Sequence, residues 1–123
     1  MVKKKIIAII QARVNSIRFP NKILKKINGI PAIEILYKRL QKSKKIDKII
    51  IATSKNKKNK KLIDFLKSKK INYFVGEDGD VLKRYFDVVS KWGGDIIIRV
   101  TGDSILIDPK LVDNFITKFK NKK

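Results

Sequence analysis

The sequence predicts an α/β domain: a parallel sheet of four strands in the order 3-2-1-4, held between helices in a Rossmann-like three-layer arrangement. Three observations lead there. Short apolar runs rich in β-branched residues occupy residues 5–11, 48–53 and 95–100, as expected of strands covered on both faces, and residues 71–75 read as a further short strand. Between most of them lie stretches whose apolar residues recur at helical spacing. The connections are short, which suits right-handed βαβ crossovers.

The first strand, residues 5–11, ends at Gln11. The segment after it, residues 12–29, contains Asn15, Pro20, Asn21 and Asn28 and begins as a loop. Pro31 suits the first turn of a helix with Ile33, Leu36, Tyr37 and Leu40 along one face. A second strand over 48–53 precedes a lysine-rich segment in which Leu62, Ile63, Phe65 and Leu66 form a short apolar patch. After the third strand, Asp80 is placed to cap a helix whose apolar positions are Val81, Leu82, Tyr85, Phe86, Val89 and Trp92. The fourth strand is residues 95–100. Asp108 and Pro109 then form a cap and first residue for a last helix, with Leu111, Val112, Phe115, Ile116 and Phe119 expected inward. A chain of 123 residues suits one domain, residues 1–123. Four parallel strands with no closing edge element read as the N-terminal part of a larger fold.

Composition excludes several chemistries. With no cysteine and no histidine there is no disulfide framework, thiol nucleophile, Cys-based zinc site or Ser-His-Asp catalysis. Any metal must be held by oxygen ligands, which points to magnesium, calcium or manganese. The apolar run 6–10 is too short for a signal peptide or membrane span, so a soluble cytoplasmic protein without a membrane partner is expected. The net charge of +20 invites a nucleic-acid reading. However, 26 Lys against 5 Arg, with 22 Ile and 4 Ala, is the pattern of a genome favouring A- and T-rich codons, and no aromatic residues interleave for base stacking. Residues 1–70 hold 22 basic and 3 acidic side chains, net +19, whereas residues 71–123 hold 9 and 8, net +1.

In open α/β sheets, ligands bind beyond the carboxyl ends of the strands where strand order reverses. With order 3-2-1-4, that point lies between strands one and four. The loop after strand one reads QARVNSIRFPNKIL and places Arg13, Ser16, Arg18 and Lys22 around a turn. Such fork-shaped and point-charge donors can hold a triphosphate and neutralise charge developing on a pyrophosphate leaving group, or can be a solvated basic loop. Neither GxxxxGK[ST] nor GxGxxG is present. The loop after strand four, RVTGDSILIDP, puts Asp103 behind Gly102, where a carboxylate can hold Mg²⁺ against phosphates or serve as a turn residue. Asp108 reads as a helix cap.

QARVNSIRFPNKIL resembles the QAR-x-x-S-x-R-x-P-x-K-x-L signature of the cytidylyltransferase family of acylneuraminate and deoxy-octulosonate cytidylyltransferases. INGIPAIEILYKRL, IIIATS, GEDGDVLKRYFDVV and RVTGDSILIDP look like later motifs of its spore coat polysaccharide biosynthesis protein F branch, in the same order. The resemblance implies a nucleotide-diphospho-sugar transferase fold, roughly twice this length, that uses CTP and Mg²⁺ to convert a sugar to its CMP derivative in surface polysaccharide biosynthesis. It implies that Arg13, Ser16, Arg18 and Lys22 contact the triphosphate, Arg18 and Lys22 acting catalytically, and that Asp103 ligates magnesium. For Asp80 and Arg84 it leaves two roles, lining the nucleotide pocket or forming a cap and a helix-surface ion pair. Arg99 reads either as half of an ion pair with a carboxylate or as a group directed at the site. Nucleotide and sugar are the expected partners, with a homodimer or the absent C-terminal half as protein partner. The competing readings are a nucleotide-sugar-binding glycosyltransferase, for which no DxD acidic pair is seen, an inactive truncated remnant, and a nucleic-acid-binding module.

Overall fold

A computed structural model describes residues 4–12, 24–77, 79, 81–102 and 107–121. Its main sheet contains β1 (Ile6–Gln11), β4 (Lys48–Ser54), β5 (Tyr73–Gly76) and β6 (Ile96–Thr101). The order is β5-β4-β1-β6 and every pairing is parallel. This is the expected 3-2-1-4 order. The central β1 is buried from Ile6 to Ile10 because both its faces carry helices, and its side chains alternate between two apolar layers.

One layer joins Ile6, Ala8 and Ile10 to Ile33, Leu36 and Leu40 of α1 (Ala32–Gln41), Leu62 and Leu66 of α2 (Lys60–Ser68), and Val112 and Ile116 of α4 (Pro109–Asn121). The other joins Ile7, Ile9, Ile50 and Ala52 to Val88 of α3 (Val81–Trp92), with Tyr85, Val89 and Trp92 packed around them. Gly94 lies against this second layer: a Cβ there would come within 2.9 Å of Ile7 Cγ1 and 3.1 Å of Ile97 Cδ1. Only glycine lets the chain turn so close to the sheet.

Two aspartates anchor the amino end of β1. The Ile6 N–H donates to Asp47 Oδ2 at 2.7 Å while Asp47 N–H donates back to Ile6 O. Lys5 N–H and Asp95 form the same reciprocal pair towards β6. These bonds fix the register of both neighbouring strands, so β1 and β6 finish together and β4 runs two residues further.

Ahead of α1, β2 (Lys26–Ile27) and β3 (Ile30–Pro31) form a small antiparallel hairpin that the sequence reading did not name, turned by Asn28 and Gly29, both at positive φ. Three expectations are corrected. Pro31 stands just ahead of α1, at its cap, and not in its first turn. In α4 only Val112 and Ile116 go inward, whereas Leu111, Phe115 and Phe119 are 55%, 67% and 64% exposed. The cause is a partner surface broad enough to cover only one stripe of the helix. The third strand also begins two residues later than expected, since the backbone at Ile71 is committed to closing α2 by donating to Leu66 O.

Candidate functional site

The carboxyl end of the sheet is where polar residues replace the isoleucines. β1 ends in Gln11, β4 in Thr53 and Ser54, β5 in Gly76 and β6 in Thr101. Gln11 pairs with Ala52 on one side and with Thr101 on the other, and Ser54 pairs with Gly76. By the two-residue alternation of strands, Gln11, Ser54, Gly76 and Thr101 all lie on the face that carries α3.

Arg84 of α3 closes one side of this row. It is 4% exposed, its stem lies against Gly76, and Nη2 donates to Glu77 O at 3.0 Å. The guanidinium turns inward, and Gly76 is the residue that makes room for it. Its neighbour Lys83 pairs with Asp87 at 2.8 Å on the helix surface. Ser54 is fixed by Asn59, whose buried amide donates to Ser54 O at 3.2 Å and Oγ at 2.9 Å. At the rim, Lys55 meets Glu77 at 2.8 Å. The hydrogen bond and charge of Lys55 hold the Glu77 carboxyl below the usual range.

Among the described residues, two buried acceptors at this end have no hydrogen-bond partner, Gln11 Oε1 and Thr53 Oγ1. Buried polar atoms are nearly always satisfied, so an unsatisfied one at a sheet's ligand-binding end is a site-like feature. The sequence reading did not single out either residue as a site group. The available signal was simple: each is the first polar residue after an unbroken apolar strand run. Arg99 makes a contact that neither expectation named, its guanidinium lying 4.3 Å over the Tyr85 ring.

The two loops singled out in the sequence leave from adjacent strands. Ala12 N–H donates to Ala52 O and Gly102 N–H to Gln11 O, each at 2.9 Å, so residues 12 and 102 stand side by side where strand order reverses. Arg13, Ser16, Arg18, Lys22, Asp80 and Asp103 lie outside the described residues. Among the described residues no three acidic, histidine or cysteine side chains cluster as a metal site, and no helix is long and apolar enough to cross a membrane.

A family model described as "Cytidylyltransferase" matches residues 7–123. The chain belongs to the cytidylyltransferase family. It is 34% identical over 115 residues to the spore coat polysaccharide biosynthesis protein SpsF of Bacillus subtilis, covering 90% of this chain and 48% of that one. A cytidylyltransferase structure from Leptospira borgpetersenii matches with a TM-score of 0.90 and 30% identity, over 98% of this chain and 51% of that one. A CMP:2-keto-3-deoxy-manno-octonic acid synthetase complexed with CTP matches in fold, with a TM-score of 0.83 and 23% identity, over 96% of this chain and 48% of that one. The chain thus spans about half the length of the cytidylyltransferase relatives it matches. Its three-layer sheet is the nucleotide-diphospho-sugar transferase fold of the cytidylyltransferases.

Proposed function

We propose that this chain is the nucleotide-binding part of a CTP-dependent enzyme that converts a sugar to its CMP derivative for surface polysaccharide, working in the cytoplasm. The observation that carries the reading is the juxtaposition of residues 12 and 102 through the Gly102–Gln11 bond at 2.9 Å. It starts the basic loop and the aspartate loop from neighbouring strand ends. A triphosphate lying across that point has Arg13, Arg18 and Lys22 from one loop as cationic donors and Ser16 as a neutral one. A sugar hydroxyl attacks the α-phosphate, forming the new P–O bond as the bond to pyrophosphate breaks and the hydroxyl proton passes to water. Arg18 and Lys22 stabilise the charge that collects on the leaving pyrophosphate. Arg84, held between Gly76 and the Glu77 carbonyl, walls the pocket on the α3 side.

Magnesium suits the donor set. A chain without histidine or cysteine offers only oxygen ligands, and Mg²⁺ is commonly held by one or two carboxylates together with substrate phosphates. Asp103 would hold it, and the ion would supply charge neutralisation at the phosphates.

The test is the thermal midpoint of the chain with Mg²⁺ and CTP, ATP, UTP or a short DNA duplex, beside Arg18→Ala. A ligand at about 100 times its dissociation constant stabilises by roughly 2.7 kcal/mol, several degrees for a domain of this size. A shift specific to CTP and lost in Arg18→Ala is expected. A shift with DNA and none with CTP overturns the reading.

A further inference from the structure

We propose that the side chain of Gln11 selects the base of the nucleotide, its Oε1 accepting a hydrogen bond from the 4-amino group of cytosine. Gln11 is the last residue of β1 and pairs with Ala52 on one side and Thr101 on the other, where strand order reverses. Ile7 and Ile9 pack into the α3 layer together with Ala52, and the alternation of the strand carries Gln11 to the same face. There its Oε1 is buried and, among the described residues, without a hydrogen-bond partner. Ala52 beside it has only a methyl group, and Nη2 of Arg84 is engaged by the Glu77 carbonyl at 3.0 Å. An acceptor held out of water without a donor costs free energy in the ligand-free chain, and an N–H brought by a ligand recovers it. The other such acceptor, Thr53 Oγ1, belongs to a residue that is 0% exposed and lies on the opposite face with Ile49 and Ile51. Gln11 is only partly buried, so it is the residue a ligand reaches.

The proposal rests on the CTP-binding reading above and names the residue that makes the nucleotide site selective. A triphosphate at the juxtaposed residues 12 and 102 lies directly beyond Gln11, whose carbonyl accepts from Gly102 N–H at 2.9 Å. Cytosine carries an amino group at position 4 and uracil a carbonyl oxygen. Against the same acceptor the first forms a hydrogen bond, whereas the second sets two acceptors face to face. A site built to bond an N–H strongly rejects an analogue that lacks it, because the buried polar group is left unpaired. An amide turned end for end would offer Nε2 to uracil instead. Gln11→Glu removes that option, because it keeps an oxygen acceptor of the same reach and has no amide N–H.

The experiment measures calorimetric dissociation constants of the chain for CTP, UTP and inorganic tripolyphosphate with Mg²⁺, in the native form, Gln11→Met and Gln11→Glu. The thermal midpoint of each form is measured without ligand. The native chain is expected to prefer CTP over UTP at least about tenfold. Gln11→Met has a similar length and no amide. It is expected to lose most of that preference, to bind tripolyphosphate within about twofold of native, and to unfold no earlier than native, since it removes an unpaired buried acceptor and no hydrogen bond. Gln11→Glu is expected to keep the preference for CTP. A native chain that binds CTP and UTP equally, a preference that survives in Gln11→Met or is lost in Gln11→Glu, or a ligand-free Gln11→Met midpoint several degrees below native each overturns the proposal, while CTP binding by the native chain leaves the nucleotide-binding reading standing. A native chain that binds tripolyphosphate or nothing, and no CTP, overturns both.

Discussion

Arg84 and Lys83 are neighbours with the same charge and opposite energetics. Lys83 and its partner Asp87, 2.8 Å away, form an i,i+4 pair with an exposed ammonium and a partly exposed carboxylate, worth about 0.5 kcal/mol. Arg84 is buried, and its contact with the Glu77 carbonyl at 3.0 Å satisfies a charged donor that has left water. Removing one side of such a bond costs about 1–3 kcal/mol, because the remaining partner stays desolvated. Arg84→Met, which keeps the stem against Gly76, is therefore expected to lower urea stability by that amount, and Lys83→Ala by under about 0.5 kcal/mol. Equal losses would show that burial of the guanidinium carries no energetic weight. Arg84 was legible in the sequence as a member of a motif, whereas its burial was not, because helical spacing alone does not say which stripe meets the sheet.

Among the elements, α4 is held by a polar clamp as well as by Val112 and Ile116. The Asp113 carboxylate accepts from Ser43 Oγ and from the Lys44 and Lys45 N–H groups in the turn between α1 and β4. Burial pushes this carboxyl up, but the bonds from Ser43, Lys44 and Lys45 and the Lys45 charge outweigh it, so its pKa falls below the ordinary 3.8. A group depressed in the folded state adds stability above its unfolded value and loses it as pH falls through its folded value. The stability gap between the native chain and Asp113→Asn is thus expected to be constant from neutral pH to about pH 5 and to close below about pH 4. Chemical denaturation at a series of pH values measures it, and a gap that widened in acid would refute the clamp. Asp113 contacts residues 43–45, some seventy positions earlier, and nothing in the local pattern of α4 announces it. The Asn28–Gly29 hairpin, by contrast, was written in an Asn-Gly pair between two isoleucines.

For the whole molecule the dominant quantity is charge. Residues 1–70 carry 22 basic side chains, many of them on α1, α2 and the turns around β4, against three acidic ones, net +19. Self-repulsion of this kind opposes the compact state and is screened within roughly 8 Å at physiological ionic strength. The thermal midpoint is expected to rise by several degrees between about 10 mM and 0.3 M salt, since 1 kcal/mol of relieved repulsion moves a domain this small by about 4–8 °C. A midpoint that fell with salt would mean that attractive pairs such as Lys55–Glu77 outweigh the repulsion.

The four strands of the main sheet to within two residues, their parallel order and the two loops that leave at the reversal point were legible in the sequence by itself, through unbroken β-branched runs, a helical period and a row of motifs. The absence of histidine and cysteine likewise confines any metal chemistry to oxygen ligands. Only the tertiary structure decided that Arg84 turns inward over Gly76, that Arg99 stacks on Tyr85, that Gln11 and Thr53 carry buried acceptors, and that Phe115 and Phe119 face outward. Each of these depends on what stands opposite a side chain across the layers. That is a property of how far neighbouring elements extend, and apolar spacing along one helix is the same whether the surface before it is covered or still open.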